Sequence, residues 1–344
     1  MMKKFFRAHG FAAVFSVLLA AFTLYAFLDT FVISRKYAPQ HDNDEMLEHV
    51  STQEPVKNND DVLESYKKED GEPERGYHPD PVIASVFDRG VPDEPERTDT
   101  SYYDGEIYVN IEEYEVNDTA VYAAEVALRD PAYFRAGLAE GTYGRNISEK
   151  TSMIAAPLRS IFAVNGDFYG ARNSGYVLRN GTLYRNASSG TDDLVVWGDG
   201  SFEIVNERDA SAEELAERGA WQIFSFGPSL VENGEVVVSE TEEVRSSLSS
   251  NPRTAVGQLG YLHYLFVVSD GRTYRSPGLT LYELAGFMKE HGAVIAYNLD
   301  GGGSSTMVFG VRVINNPTDD GYEFEEREVS DIVYIGRPRT NDAR

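Results

Sequence analysis

Four short polar turns punctuate the chain: Asn180-Gly181, Gly198-Asp199-Gly200, Asn233-Gly234 and Asp270-Gly271. Each follows a short apolar run. Asn-Gly and Asp-Gly accept positive φ at little cost, and that geometry folds one twisted strand back on its neighbour. The first three predict hairpins joining Tyr176–Leu178 to Thr182–Tyr184, Leu194–Trp197 to Ser201–Val205, and Ser229–Val231 to Glu235–Val238. The fourth, after a strand at Tyr261–Val268, is read as another hairpin turn. Further strands are expected at Gly105–Ile111, Ala120–Leu128, Ile161–Val164 and Ala293–Tyr297. Helices are fewer. Thr280 with Glu283 forms a capping box opening Leu281–Glu290, which Gly292 stops, and Ser211 with Glu214 opens a short helix ending at Gly219. The predicted class is α+β: a mixed, strand-rich sheet core with a few flanking helices, as one globular domain.

Composition narrows the function. The chain has 344 residues, 42% hydrophobic, enough for a substantial core. It has no cysteine, which removes disulfides, thiolate metal sites and thiol nucleophiles. Its formal net charge of −25 repels nucleic acid, so no nucleic-acid partner is expected. The histidines are scattered without metal-ligand spacing. No metal or other cofactor is implied, although Asp167 and Asp300 are chemically able to hold a hard cation.

The N-terminus reads as a signal anchor over residues 1–36. Lys3, Lys4 and Arg7 precede Phe11–Leu28, eighteen residues without a charge, close to the roughly 20 that span a bilayer. A cleaved signal is the alternative, but the apolar run is long and no small-x-small site follows it. Positive charge before the span puts the bulk of the chain outside the membrane. An exported chain without cysteine suits a bacterial surface protein. Residues 37–100 carry eighteen acidic and six basic side chains, which predicts a disordered acidic stalk, either a plain tether or a regulatory pro-segment. The folded domain is expected at 101–338, with a disordered tail at 339–344. Four Asn-x-Ser/Thr matches, Asn117-Asp118-Thr119 among them, are read as chance.

Chemistry concentrates where buried strands end. Asn298-Leu299-Asp300-Gly301-Gly302-Gly303-Ser304-Ser305 follows the apolar run Ala293–Tyr297, and Asn165-Gly166-Asp167 follows Phe162–Val164. Residues two apart on a strand share a face, so each motif sets an amide beside a carboxylate. Three glycines imply positive φ or close approach of backbone to a ligand. Two carboxylates around one pocket are what glycosidic-bond hydrolysis needs. The alternative is that the Asn and Asp residues cap strand-end turns. A third element, Asn251-Pro252-Arg253-Thr254, offers a guanidinium fork and a hydroxyl, or a plain surface ion pair. Phe168, Tyr169, Tyr176 and Tyr297 stand near the motifs, as sugar-stacking rings or as core.

These three motifs, in this order, resemble the phosphodiester glycosidase family, which includes the uncovering-enzyme type of N-acetylglucosamine-1-phosphodiester α-N-acetylglucosaminidase and bacterial exopolysaccharide-related members. The resemblance spans about Tyr102–Arg337. It implies hydrolysis of a sugar 1-phosphodiester at the C1–O bond, giving free sugar and a phosphomonoester. It implies Asp167, Asp300 and Arg253 as catalytic residues. Asn165, Thr254, Asn298, Gly301, Gly302, Gly303, Ser304 and Ser305 would bind substrate. Arg253 and the N–H groups of Gly301–Gly303 would stabilise the departing phosphate. Whether the reaction retains or inverts stays open. The expected partners are a cell-envelope glycan phosphodiester and the membrane, with the catalytic domain on the outer face of a single-pass anchor. Two other classes compete. One is a non-catalytic surface glycan binder on the same fold. The other is a serine hydrolase using Ser304 or Ser305, which lacks the Gly-x-Ser-x-Gly elbow.

Overall fold

Three of the four turn signals make the hairpins they predict. In the computed structural model, which describes residues 2–39, 81–240 and 250–338, Val177–Arg179 pairs with Thr182–Arg185 across Asn180 (φ 50°) and Gly181 (φ 78°). Asp192–Trp197 pairs with Phe202–Asn206, and Ser229–Glu232 pairs with Glu235–Val236 across Asn233-Gly234. Asp270-Gly271 makes no hairpin. Asp270 is buried and accepts from the Asn316 backbone (2.8 Å) and side chain (2.8 Å), while Gly271 abuts the Pro252 ring, where a Cβ would lie 2.5 Å from Cδ. The dipeptide is used for close packing rather than reversal. The longest hairpin carries no Asn-Gly signal: Ile107–Val116 pairs with Thr119–Leu128 across Asn117 (φ 50°) and Asp118 (φ 58°). Asn and Asp tolerate that conformation better than other side chains do.

The strands form three main sheets, with neighbours antiparallel. The nine-stranded sheet places Ile295–Asn298 beside Arg253–Gly260, followed by His263–Ser269, Thr119–Leu128 and Ile107–Val116. A five-stranded sheet is centred on Ala220–Phe224, and a second five-stranded sheet is centred on Phe162–Asn165. Alternation along each strand divides the core. Val126, Val256 and Phe266 meet Phe134, Phe162, Phe224 and Val333 in one apolar cluster shared by the sheets. On the other face, Val121, Ala255 and Val267 pack under the helix Leu281–Glu290 through Leu281, Leu284 and Met288, an i, i+3, i+7 stripe. Both predicted capping boxes are present. The strand-rich α+β class is therefore observed. A third helix, Thr151–Leu158, is absent from the sequence reading for a physical reason: its N-cap is an uncapping Lys150, it contains Pro157, and it stops at Arg159 in the left-handed region rather than at a glycine.

Order begins before residue 101. The helix Pro81–Phe87 buries Ile83 and Phe87 against Tyr103 and Ala127, and Glu96–Arg97 forms the edge strand of the large sheet. The expected stalk boundary at residue 100 is corrected accordingly, because two buried apolar side chains tie 81–100 to the domain. Residues 40–80 of that stalk and the expected tail lie outside the described residues. The helix Met2–Phe31 covers the expected anchor. Among the described residues, no helix is long and apolar enough to cross a membrane. Beyond that helix the chain docks rather than hanging free. Arg35–Lys36 pairs with Gly144–Arg145, Tyr37 N donates to Tyr143 O (3.1 Å), and Ser34 Oγ donates to Asn146 O (2.7 Å).

Candidate active site

The three sequence motifs converge on one buried junction. Phe162–Asn165 and Ile295–Asn298 belong to different sheets, and their exits are stitched together: Asn165 Nδ2 donates to Asp300 O (2.6 Å), and Asp300 N donates to Gly166 O (3.1 Å). Asn165 Oδ1 accepts from Thr254 Oγ1 (2.8 Å) and Thr306 N (3.2 Å). Thr254 O accepts from Leu299 N (2.9 Å). Asn165 and Thr254 are thus occupied in joining the motifs. Asn298 Nδ2 donates to Gly227 O (2.8 Å), while its Oδ1 and the hydroxyls of Ser305 and Thr306 are buried without a partner.

The two carboxylates differ. Asp167 is fully buried and saturated: Oδ1 accepts from Tyr169 N (3.2 Å), and Oδ2 accepts from Ser225 N (2.9 Å) and pairs with Arg179 Nη2 (2.8 Å). Arg179, itself buried, also pairs through Nε with Asp331 Oδ2 (2.8 Å), and Asp331 Oδ1 accepts from Asp167 N (3.2 Å). Burial pushes the Asp331 carboxyl up, Arg179 opposes that, and the Asp167 charge adds to it. Asp300 carries a different set. Oδ1 accepts from Gly301 N (2.9 Å), Oδ2 accepts from Ser304 Oγ (2.6 Å), and Arg327 Nη2 stands 3.5 Å away. Burial raises the Asp300 carboxyl above its ordinary value, against the lowering pull of Arg327, Ser304 and Gly301 and of the Arg172 charge.

The glycine loop approaches protein rather than open space. A Cβ on Gly301 would lie 2.9 Å from Pro252 O, one on Gly302 2.6 Å from Arg272 Nη2, and one on Gly303 would overlap the Asp319 carboxylate. Gly302 alone of the three has positive φ (64°). Gly301 N is held by Asp300, and Gly302 N by Pro252 O (2.8 Å). Those two N–H groups are therefore already engaged. Arg253 is buried in its strand, with Nε donating to Leu279 O (2.9 Å). The guanidinium at Asp300 belongs to Arg327, which also donates to Ser304 Oγ (2.7 Å) and Gly301 O (3.0 Å). Sequence reasoning missed Arg327, because it lies in the acidic run Glu323–Glu328 and carries no motif. It missed Arg179 and Asp331 as well. An arginine inside the apolar strand Val177–Arg179 was the one available signal.

Of the four aromatics, Tyr169, Tyr176 and Tyr297 are buried, whereas Phe168 is 40% exposed at φ 65°. A bulky residue rarely adopts that conformation, and here it turns a ring outward directly after Asp167. Among the described residues no histidine side chain stands at the junction to support a serine nucleophile: His263 bonds Glu125 (2.8 Å) and His291 bonds Phe287 O (2.8 Å). Among the described residues, no cluster of three metal-ligating side chains occurs.

Another buried carboxyl, Asp193, lies close enough to feel the Asp167 charge. Burial first, and the Glu207 charge second, hold it well above the usual carboxylate range. A raised folded-state value contributes stability that is complete below the unfolded value and lost as pH rises through the folded one. Asp193→Asn is therefore expected to be more stable than wild type at pH 8, with the gain shrinking as pH falls towards the unfolded-state value. Urea unfolding at pH 8 and near pH 4 measures it, and an equal offset at the two would exclude the titration.

A family model described as phosphodiester glycosidase matches residues 159–336, just over half of the chain. The "SPbeta prophage-derived uncharacterized protein YomE" of Bacillus subtilis (strain 168) is 29% identical over 204 residues, covering 57% of this chain and 31% of that protein. N-acetylglucosamine-1-phosphodiester α-N-acetylglucosaminidase of Mus musculus is 30% identical over 203 residues, covering 54% of this chain and 39% of the mouse protein. The chain thus spans less than two fifths of the length of these relatives. The catalytic domain of the zebrafish N-acetylglucosamine-1-phosphodiester α-N-acetylglucosaminidase superposes with a TM-score of 0.53 at 21% identity, covering 68% of this chain and 83% of that one, which shows a shared fold. With its three ordered motifs gathered at one junction and the matched segment containing all of them, this chain belongs to the phosphodiester glycosidase family.

Proposed function

We propose that the protein hydrolyses a sugar 1-phosphodiester at the glycosidic C1–O bond, releasing free sugar and a phosphomonoester. The observation that carries this reading is Asp300: a carboxyl at the meeting point of the three motifs, hydrogen-bonded by Ser304 and flanked by Arg327. As the C1–O bond breaks, its electron pair goes to the phosphate oxygen, already a weak base, so stabilising charge matters more than protonation. In this reading Arg327 supplies that charge. Asp300, as the anion, serves the anomeric carbon, as nucleophile or as base toward water. Asp167, paired with Arg179, holds the junction in register, and the exposed Phe168 ring stacks on the sugar. The names of the mammalian relatives make N-acetylglucosamine the first sugar to test, and a cell-envelope or exopolysaccharide phosphodiester is the proposed natural substrate.

The test is incubation of the full chain in detergent with UDP-N-acetylglucosamine, following free reducing sugar. Release of sugar supports hydrolysis. Retention of ligand without release would favour the non-catalytic glycan binder. Arg327→Ala is expected to lower kcat by about 10²–10³-fold, the cost of one lost anion-stabilising donor. Arg253→Lys is expected to lower thermal stability and leave kcat of the folded protein within a few-fold. The opposite pattern would return the charge role to Arg253.

The proposal places the domain outside a bacterial membrane, tethered by residues 11–28. What supports it is that the helix exposes Val14, Val17, Leu18, Phe22 and Leu24, each more than half accessible. Protease added to intact cells should cleave the domain, and carbonate should leave the protein in the membrane fraction. Full release by carbonate would exclude the tether.

A further inference from the structure

A cavity of about 340 Å³ opens beside the junction, between the N-terminal segment and the turn that follows Asp167. Its floor is Tyr169 and Gly170, and its charge comes from Arg145, Arg172 and Arg185, with no carboxylate in the lining. On a chain of net charge −25, an all-cationic cavity is a selective attractor for anions. Arg185 is occupied in architecture, donating to Gly175 O (2.6 Å), Tyr169 O (3.0 Å) and Arg172 O (2.7 Å). Arg145 is not: Nη2 reaches Thr30 O at 3.4 Å, and Nε is buried without a partner.

One wall is aromatic. Tyr143 stacks on Tyr184 at 4.8 Å and on Tyr169 at 5.1 Å between ring centroids, and Tyr37 closes the rim 6.1 Å from Tyr143. Rings around a cationic centre exclude water and strengthen a charge-assisted bond to phosphate. Arg172 links this cavity to the site: its Nη1 donates to Ser225 O (2.9 Å), and Ser225 N donates to Asp167 Oδ2 (2.9 Å).

We propose that the cavity is an anion subsite that receives the phosphorylated leaving group once it has parted from the sugar beside Arg327, with Arg145 and Arg172 gripping the phosphate and Tyr143 and Tyr184 flanking what it carries. The assignment of the occupant as leaving group rests on the hydrolytic reading above; the anion site itself does not. Tyr37 and Ala38 complete the wall, so the segment that follows the N-terminal helix is part of the subsite.

Direct binding tests it on the full chain in detergent. Inorganic phosphate is titrated calorimetrically against wild type, Asp300→Asn, Arg145→Gln and Arg145→Lys. Wild type and Asp300→Asn should bind phosphate alike. Arg145→Gln should weaken it at least about tenfold, as expected for losing one charge-assisted contact, and Arg145→Lys should fall between. UDP and a short-chain phosphatidic acid are then competed against phosphate. Displacement that depends on Arg145 supports the subsite, and the tighter of the two tells a soluble leaving group from a lipid-borne one. Phosphate affinity unchanged in Arg145→Gln with its melting temperature intact, or no phosphate binding by wild type, overturns the proposal. If phosphate binds through Arg145 but no sugar is ever released, the hydrolytic reading fails and the anion site stands. If sugar is released while KM and phosphate affinity ignore Arg145, the reverse holds.

Discussion

Asp300→Asn is expected to cut turnover of a sugar phosphodiester at least about 10²-fold, the lower range for a lost acid–base or nucleophilic carboxylate, and to leave the fold intact. The stability half follows from the direction of the Asp300 shift. Burial raises its carboxyl, so the folded protein already resists the charge there, and a neutral side chain of the same shape removes a cost. Asn keeps an acceptor for Gly301 N or Ser304 Oγ. The rate half follows from the charge that Asn cannot supply to the anomeric carbon. In wild type, kcat should rise with pH through a midpoint above the ordinary carboxylate value of about 3.9, because the anion is the active form. A pH-rate profile on UDP-N-acetylglucosamine, with thermal melts of both proteins, measures each half. A folded variant with wild-type turnover would remove Asp300 from the reaction.

Arg179→Met should cost about 3–5 kcal/mol of stability, the range for breaking a buried ion pair from one side. Arg179 separates two fully buried carboxylates, Asp167 and Asp331, and also donates to the Leu178 carbonyl (3.1 Å) and the Ile223 carbonyl. Removing it leaves like charges facing each other without water. Destabilisation should be smaller at low pH, because Asp331, already raised by burial and by Asp167, takes up a proton first. Denaturant unfolding at pH 5 and pH 8 reads both effects. A midpoint within experimental error of wild type would show that the triad contributes nothing to holding Asp167. This variant also separates architecture from chemistry: turnover per folded molecule should drop far less than in Asp300→Asn.

Much of the fold was legible because local chemistry decides it. Asn180-Gly181 and Asn233-Gly234 carry their own positive-φ preference, and the two capping boxes satisfy backbone donors within four residues, so tertiary context had little to override. Legibility failed where the signal was not local. Asn117-Asp118 turns the longest hairpin without a glycine, and Thr151–Leu158 is helical because it covers Ile154 and Ala155 against the sheet strands, despite Pro157 and no cap.

The same division runs through the site. The sequence by itself determined which strand exits carry the polar groups, since Asn165, Asp167, Asn298 and Asp300 follow apolar runs whose burial is dictated by composition. It also determined that Gly301–Gly303 had to be free of side chains. Only the tertiary structure decided what those groups touch. The glycines clear space for Pro252, Arg272 and Asp319, segments 16 to 49 residues away in the chain. Asp167 and Asp300 look alike in their motifs and part company only because Arg179 arrives at one and Arg327 at the other, from strands and loops that no local pattern connects. A carboxylate's role is set by the field and hydration around it. That field is a sum over residues distant in sequence, which the fold alone brings within a few ångströms.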